Sequence, residues 1–225
     1  MEQKHANALF SGKASFMQHA EKGRRHLSGP AAFAYEKALA HRHIRLELNF
    51  SNPLFFERLY TTIALWGMHD TKREQPKLEK FENFEASLKG NSEYFFRLRA
   101  TRLPDFAAPS KHVSANSNAL LSGLRLLKAG DSLTAATKTL HFILPELALP
   151  IDRGYTLWLF NEKYPATPQG ERDLFFELMG RFAYESARLG LYKDFKPAPL
   201  QPSVPKLIDN AIIGYKIEYF KKSQK

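Results

Sequence analysis

No cysteine occurs among the 225 residues, which removes disulfides, thiolate metal sites and a cysteine nucleophile together. A structural zinc centre is not expected either. Long apolar runs are also missing, since no stretch approaches the roughly 20 residues that span a bilayer. No apolar run follows the first basic residues, so neither a signal peptide nor a transmembrane helix is expected. The reading that follows is a cytoplasmic protein without membrane contact. Glycine-rich dinucleotide and phosphate loops are lacking, as is a Gly-x-Ser-x-Gly elbow, and no cofactor is expected. His41 and His43 have the wrong spacing for two ligands on one helix face, and His69-Asp70 has no third partner, so no metal site is expected.

What is present bounds the class. With 44% hydrophobic residues, a chain of this length can bury a real core in one domain or at most two. Thirty-three Lys and Arg against 23 Asp and Glu leave a formal charge of +10. Such an excess attracts polyanions over distances that salt screens, and nucleic acid is the candidate partner, the alternative being a basic composition with no specific role. The excess is spread along the chain, with modest clusters at residues 22–25, at Arg97, Arg99 and Arg102, and at residues 216–225.

Residues 1–27 carry few apolar residues in any period and read as a loosely structured basic arm. Residues 28–195 read as a helical domain. Residues 196–225 read as a Pro-rich connector followed by a terminal helix that packs on that domain. Within the domain, Ser28-Gly29-Pro30 opens one helix and Asn52-Pro53 another. The second runs through Trp66, is apolar nearly all round, and stops at Gly67. Residues 42–50 alternate apolar and polar side chains but have no strand partner, so a connector or helix end is expected there. Further helices are expected over residues 76–88 and 93–100, and from about Asn116 through Leu127 with Gly130 as its cap. Others are expected over 152–160 and 168–189, the latter ended by Gly190, and from Lys206 to about Phe220. This makes eight or nine helices and an all-α fold.

One stretch, residues 127–153, combines several polar residues in a specific local pattern. On a helix starting near Ser132, Leu133, Ala136, Leu140 and Leu144 form a core stripe, and Thr134, Lys138 and His141 form a polar stripe beside it. A lysine flanked by apolar residues can be partly desolvated, which lowers its pKa and suits it to nucleophilic attack or phosphate binding. The alternative is a solvated face with an extended lysine. Asp152, behind Pro150, either caps the next helix or projects towards the Lys138 face as a catalytic carboxylate.

The order of helix, Gly-containing hairpin, helix and Pro-x-Asp, carried by Thr137-Lys138-Thr139-Leu140-His141 and Pro150-Ile151-Asp152, resembles the catalytic segment of the helix-hairpin-helix DNA glycosylases, closest to their oxoguanine-type branch. The resemblance implies Lys138 as nucleophile and Asp152 as catalytic carboxylate, with binding residues Gly130, Ser132, Thr134, His141 and Arg153. The interval from Lys138 to Asp152 is 14 residues. Aligning Gly130 on the hairpin instead puts Thr134 at the lysine position and implies a monofunctional enzyme. The function expected is base excision by a glycosylase-like enzyme. The alternative is a helical module that binds a nucleic acid or a protein without chemistry.

Overall fold

The computed structural model describes residues 4–70, 75–128 and 132–223, with the side chains at 69, 70, 75, 76 and 132 excepted. Helix α13 (Val204–Ser223) organises the fold, because residues 204–214 are buried on every side. Its partner is α2 (Lys13–His26), which lies almost backbone to backbone against it. A Cβ placed on Gly23 would stand 1.8 Å from the Asn210 carbonyl oxygen, and one placed on Gly214 would stand 2.0 Å from that of His19. Only glycine at both positions permits that approach.

The expected loose arm over residues 1–27 is therefore corrected over its described part, residues 4–27. A short α1 (Lys4–Leu9) and then α2 are packed elements, and Leu9, Phe10, Phe16 and Ala20 are buried. The arm has few apolar residues because its main contact is made by backbone and small residues rather than by a large apolar face. Such a contact leaves little hydrophobic periodicity to read.

Helix α3 (Gly29–Ala40) follows Ser28, and α4 (Leu46–Phe50) ends the alternating segment. The segment forms a tight turn in which the Asn49 amide group bonds both the N–H and the carbonyl of His43, and its apolar residues are divided, Ile44 and Leu48 exposed and Leu46 and Phe50 buried. In α5 (Pro53–Ile63), the Asn52 side chain accepts from Leu54 N at 3.1 Å, as its capping sequence predicts. The helix is amphipathic rather than apolar all round, with Phe55, Phe56, Leu59 and Ile63 inward and Leu54 exposed. It stops at Gly67, whose φ of +88° ends a wide turn over Ala64–Met68.

The next elements shift from their expected bounds. Residues 77–79 do not continue into a helix but pair with residues 126–128, through Glu79 N to Leu126 O at 2.9 Å and Lys128 N to Lys77 O at 3.1 Å. Helix α6 (Phe81–Gly90) starts later for that reason, and α8 (Lys111–Gly123) ends earlier. Between them lies α7 (Ser92–Leu98), followed by a 3-10 turn over Leu103–Phe106. Among the described residues, the sheet content is a two-residue antiparallel pairing of His69–Asp70 with Gln75–Pro76 and isolated bridges. The all-α class holds.

Helix α9 (Ser132–Ile143) runs through the interior, and α10 (Trp158–Phe160) continues a wide turn over Arg153–Leu157. The long α11 (Pro168–Arg188) is capped by the Thr167 hydroxyl and stopped at Gly190, φ +61°, before α12 (Leu191–Asp194). Thirteen helices among the described residues exceed the eight or nine expected, mainly because short helical turns carry no periodic signal.

The α2/α13 contact gives the first prediction. Gly23→Ala or Gly214→Ala forces the helices apart and should cost about 2–3 kcal/mol, the upper range for overpacking. Urea denaturation measures it; a loss below about 0.5 kcal/mol in both variants would contradict the close packing.

Candidate functional site

Lys138 and Asp152 face one cavity. Its volume is about 230 Å³, and its walls include Ser28, Tyr35, Trp66, Lys138, Asp152, Tyr155, Lys206 and Asp209. A larger groove of about 660 Å³ lies between the end of α8 and the starts of α9 and α11. None of its charged residues, Arg125, Glu171 and Arg172, is buried.

Lys138 reaches the cavity because α9 is enclosed all round. Its polar stripe is not a solvated face: Thr134, Lys138 and His141 are all buried, Lys138 with 7% of its surface exposed. The ammonium donates to the Trp66 carbonyl, which the left-handed Gly67 turns towards it. Burial pushes the Lys138 pKa down, and Asp152 and then Asp209 oppose that shift. Asp152 stands at the head of the turn before α10, where its Oδ1 accepts from Tyr155 N at 2.7 Å. Burial pushes its pKa up, while the Lys138 charge and that hydrogen bond pull it down. Asp152 is thus a cap and a cavity residue together, so the two roles left open by the sequence are not exclusive.

The other expected binding residues are distributed differently. Thr134 is buried one turn before Lys138 and is not part of the cavity wall. His141 is enclosed entirely, with Nδ1 2.9 Å from the Ala148 carbonyl and Nε2 3.2 Å from the Tyr35 hydroxyl. The carbonyl can only accept, so Nδ1 carries the proton and Nε2 accepts from Tyr35. His141 therefore does not reach a ligand; it braces Tyr35, which does line the cavity. Arg153 lies at the surface, its guanidinium 4.5 Å above the Tyr164 ring and outside the cavity wall. Gly130 and the Ser132 side chain fall outside the described residues. In the first turn of α9, Leu133 N donates to the Tyr164 hydroxyl at 3.2 Å.

Sequence reasoning missed Lys206 and Asp209. They form an ion pair at 2.5 Å, one turn apart on α13, with exposures of 1% and 8%. The Lys206 ammonium sits 5.2 Å from the centre of the Trp66 ring and 5.8 Å from that of Tyr35. A signal was present: two opposite charges three residues apart inside a segment whose other faces carry Leu207, Ile208, Ala211 and Ile212. Buried pairs of this kind are not a cheap source of stability.

The cavity thus presents two ammonium and two carboxylate groups among three aromatic rings, with Lys77 and Lys216 near enough to act on the charges of Lys138 and Asp152 respectively. Among the described residues, no group of three His, Cys, Asp or Glu side chains could hold a metal ion. No helix among them is long and apolar enough to cross a membrane. No known protein family, curated protein or solved structure matches the chain.

His141 generates the second prediction. Burial, and next the Lys206 charge, lower its pKa from 6.5 to about 4. The fold holds it neutral, so unfolding takes up a proton between those values. Stability is fully present above pH 6.5 and falls as pH drops towards 4, by on the order of 3 kcal/mol. Denaturation curves across that range measure it. His141→Leu should be less stable at neutral pH, with Tyr35 and Ala148 left unpaired, and should show a flatter acid limb; an unchanged limb would contradict the assignment.

Proposed function

We propose that the protein is a glycosylase-like enzyme that acts on a base turned out of DNA into the Lys138–Asp152 cavity. One observation carries the reading: a desolvated amine and a carboxylate, 14 residues apart in sequence, converge on one cavity walled by Tyr35, Trp66 and Tyr155. Aromatic walls suit a flat base removed from its stack. Lys206 and Asp209 offer adjacent donor and acceptor groups to its polar edge.

In this reading, the neutral Lys138 amine attacks the sugar C1′. The new N–C bond forms as the glycosidic bond breaks, with its electron pair leaving on the base. Asp152 takes the proton released from the amine and returns it to the ring oxygen as the C1′–O4′ bond breaks and the nitrogen lone pair forms the C=N bond of a protonated Schiff base. Desolvation helps twice, since it raises the neutral fraction of the amine and the basicity of the carboxylate. A second reading, a nucleic-acid-binding domain without chemistry, draws on the Trp66 carbonyl, which already engages the Lys138 ammonium.

Borohydride trapping on oligonucleotides carrying a damaged base or an abasic site tests the proposal. Wild type should form a covalent adduct that Lys138→Ala does not. Base release without an adduct would instead favour the alignment with Thr134 at the lysine position and Asp152 acting alone. Neither product with any lesion would leave the binding module. A further prediction concerns Asp152→Asn. Loss of the negative charge lowers the Lys138 pKa further, so any residual trapping should have its rising limb at lower pH, together with a rate loss of about 100-fold or more, the usual contribution of a positioned base. A limb at unchanged pH would contradict the coupling of the two groups.

A further inference from the structure

Beyond Gly214, α13 leaves the core. Residues 215–218 are half-buried, Tyr219 and Phe220 are 38% and 45% exposed, and Lys221 and Lys222 face solvent. A cluster of rings meets at this end of the molecule. His5 of α1 stacks on Trp158 at 4.5 Å, and Trp158 lies 5.6 Å from Tyr219 and 5.9 Å from Phe220. Tyr215 and Tyr155 complete the group.

Lys216 holds it together. Its ammonium stands 4.7 Å from the Tyr155 ring centre, 5.3 Å from that of Trp158 and 5.5 Å from that of Phe220, and it donates to the Gly154 carbonyl. The surroundings are basic as well. Lys4 adjoins His5, and Lys22 and Lys222 flank Glu218 at 3.1 and 2.7 Å. Tyr155 belongs both to this face and to the cavity wall, so the face runs without a break into the candidate site.

Rings that complete a core are covered, yet Tyr219 and Phe220 are not. Exposed rings beside fixed cations match a strand whose bases are free to stack and whose phosphates need neutralising. A duplex keeps its base faces covered by neighbouring bases and offers the rings nothing to stack on. A membrane surface fits less well, because α13 is anchored by its buried half against α2 and cannot lie flat in an interface as a free amphipathic helix does.

We propose that this face binds single-stranded nucleic acid flanking the nucleotide in the cavity, with Tyr219 and Phe220 as stacking surfaces and Lys216, Lys221 and Lys222 as phosphate contacts. The proposal rests on the preceding one only for what enters the cavity; strand binding is measured without chemistry.

Fluorescence anisotropy of a labelled oligothymidylate, titrated with the full chain across a salt series, tests it. Tyr219→Ala/Phe220→Ala should weaken binding about ten-fold or more while the salt dependence stays the same. Lys221→Glu/Lys222→Glu should flatten the log-log salt slope by roughly 1.4, two phosphates' worth for a single strand. All four positions are exposed, so thermal melts by circular dichroism should match wild type. The proposal is overturned if the oligonucleotide does not bind at low salt, if both variants bind as wild type does, or if the same-length duplex binds more tightly. It is equally overturned if these substitutions abolish binding to phosphatidylserine vesicles and leave strand binding unchanged. Strand binding that persists while borohydride trapping fails would remove the chemistry assigned to Lys138 and leave this face standing.

Discussion

The glycine contact between α2 and α13 is the constraint on which the candidate site depends. With Gly23 and Gly214 facing each other's backbones, α13 sinks far enough for residues 204–214 to be fully enclosed. The same seating brings two cavity walls together. The end of α2 supplies His26 and the residues that follow it, Leu27 and Ser28, and α13 supplies Lys206, Asp209 and Ile213. Any side chain added at the crossing moves both walls, so the stability of the fold and the shape of the cavity are coupled through two residues without side chains.

Charge inside that enclosure is the second organising feature. Two lysines and two aspartates share a cavity of about 230 Å³, and removing four charged groups from water costs several kcal/mol each before any pairing is counted. The partners present offset part of that cost: the Trp66 carbonyl for Lys138, the Tyr155 N–H for Asp152, and the direct pair for Lys206 and Asp209. Around them the rigid parts are apolar or internally satisfied. His141 is an example, since both its ring nitrogens are used to hold Tyr35 and the loop at Ala148.

The sequence was legible at several caps and stops, though the Ser28 hydroxyl makes no cap bond to α3. Asn52-Pro53, Thr167-Pro168, Gly67, Gly190 and Asp152 all act as the caps and stops their residue types imply. It was illegible where tertiary contacts decided. The seating of α2 leaves almost no apolar period, residues 77–79 leave helix for pairing with 126–128, and the enclosure of α9 turns a polar stripe into a buried one. The juxtaposition of Lys138 with Asp152 was suggested by sequence order. The contribution of Lys206 and Asp209 was not, because 68 residues separate Lys138 from Lys206 and no local rule connects them.

Lys138 is a desolvated amine electrostatically tied to Asp152. Reductive methylation with carbon-13 formaldehyde, followed by NMR titration of the dimethyl-lysine signals, tests it most directly, with the Lys138 resonance assigned by its loss in Lys138→Arg. This signal should titrate below those of the surface lysines, and lower still in Asp152→Asn. A Lys138 signal that titrates with the surface lysines, and does not move when Asp152 is neutralised, would contradict it.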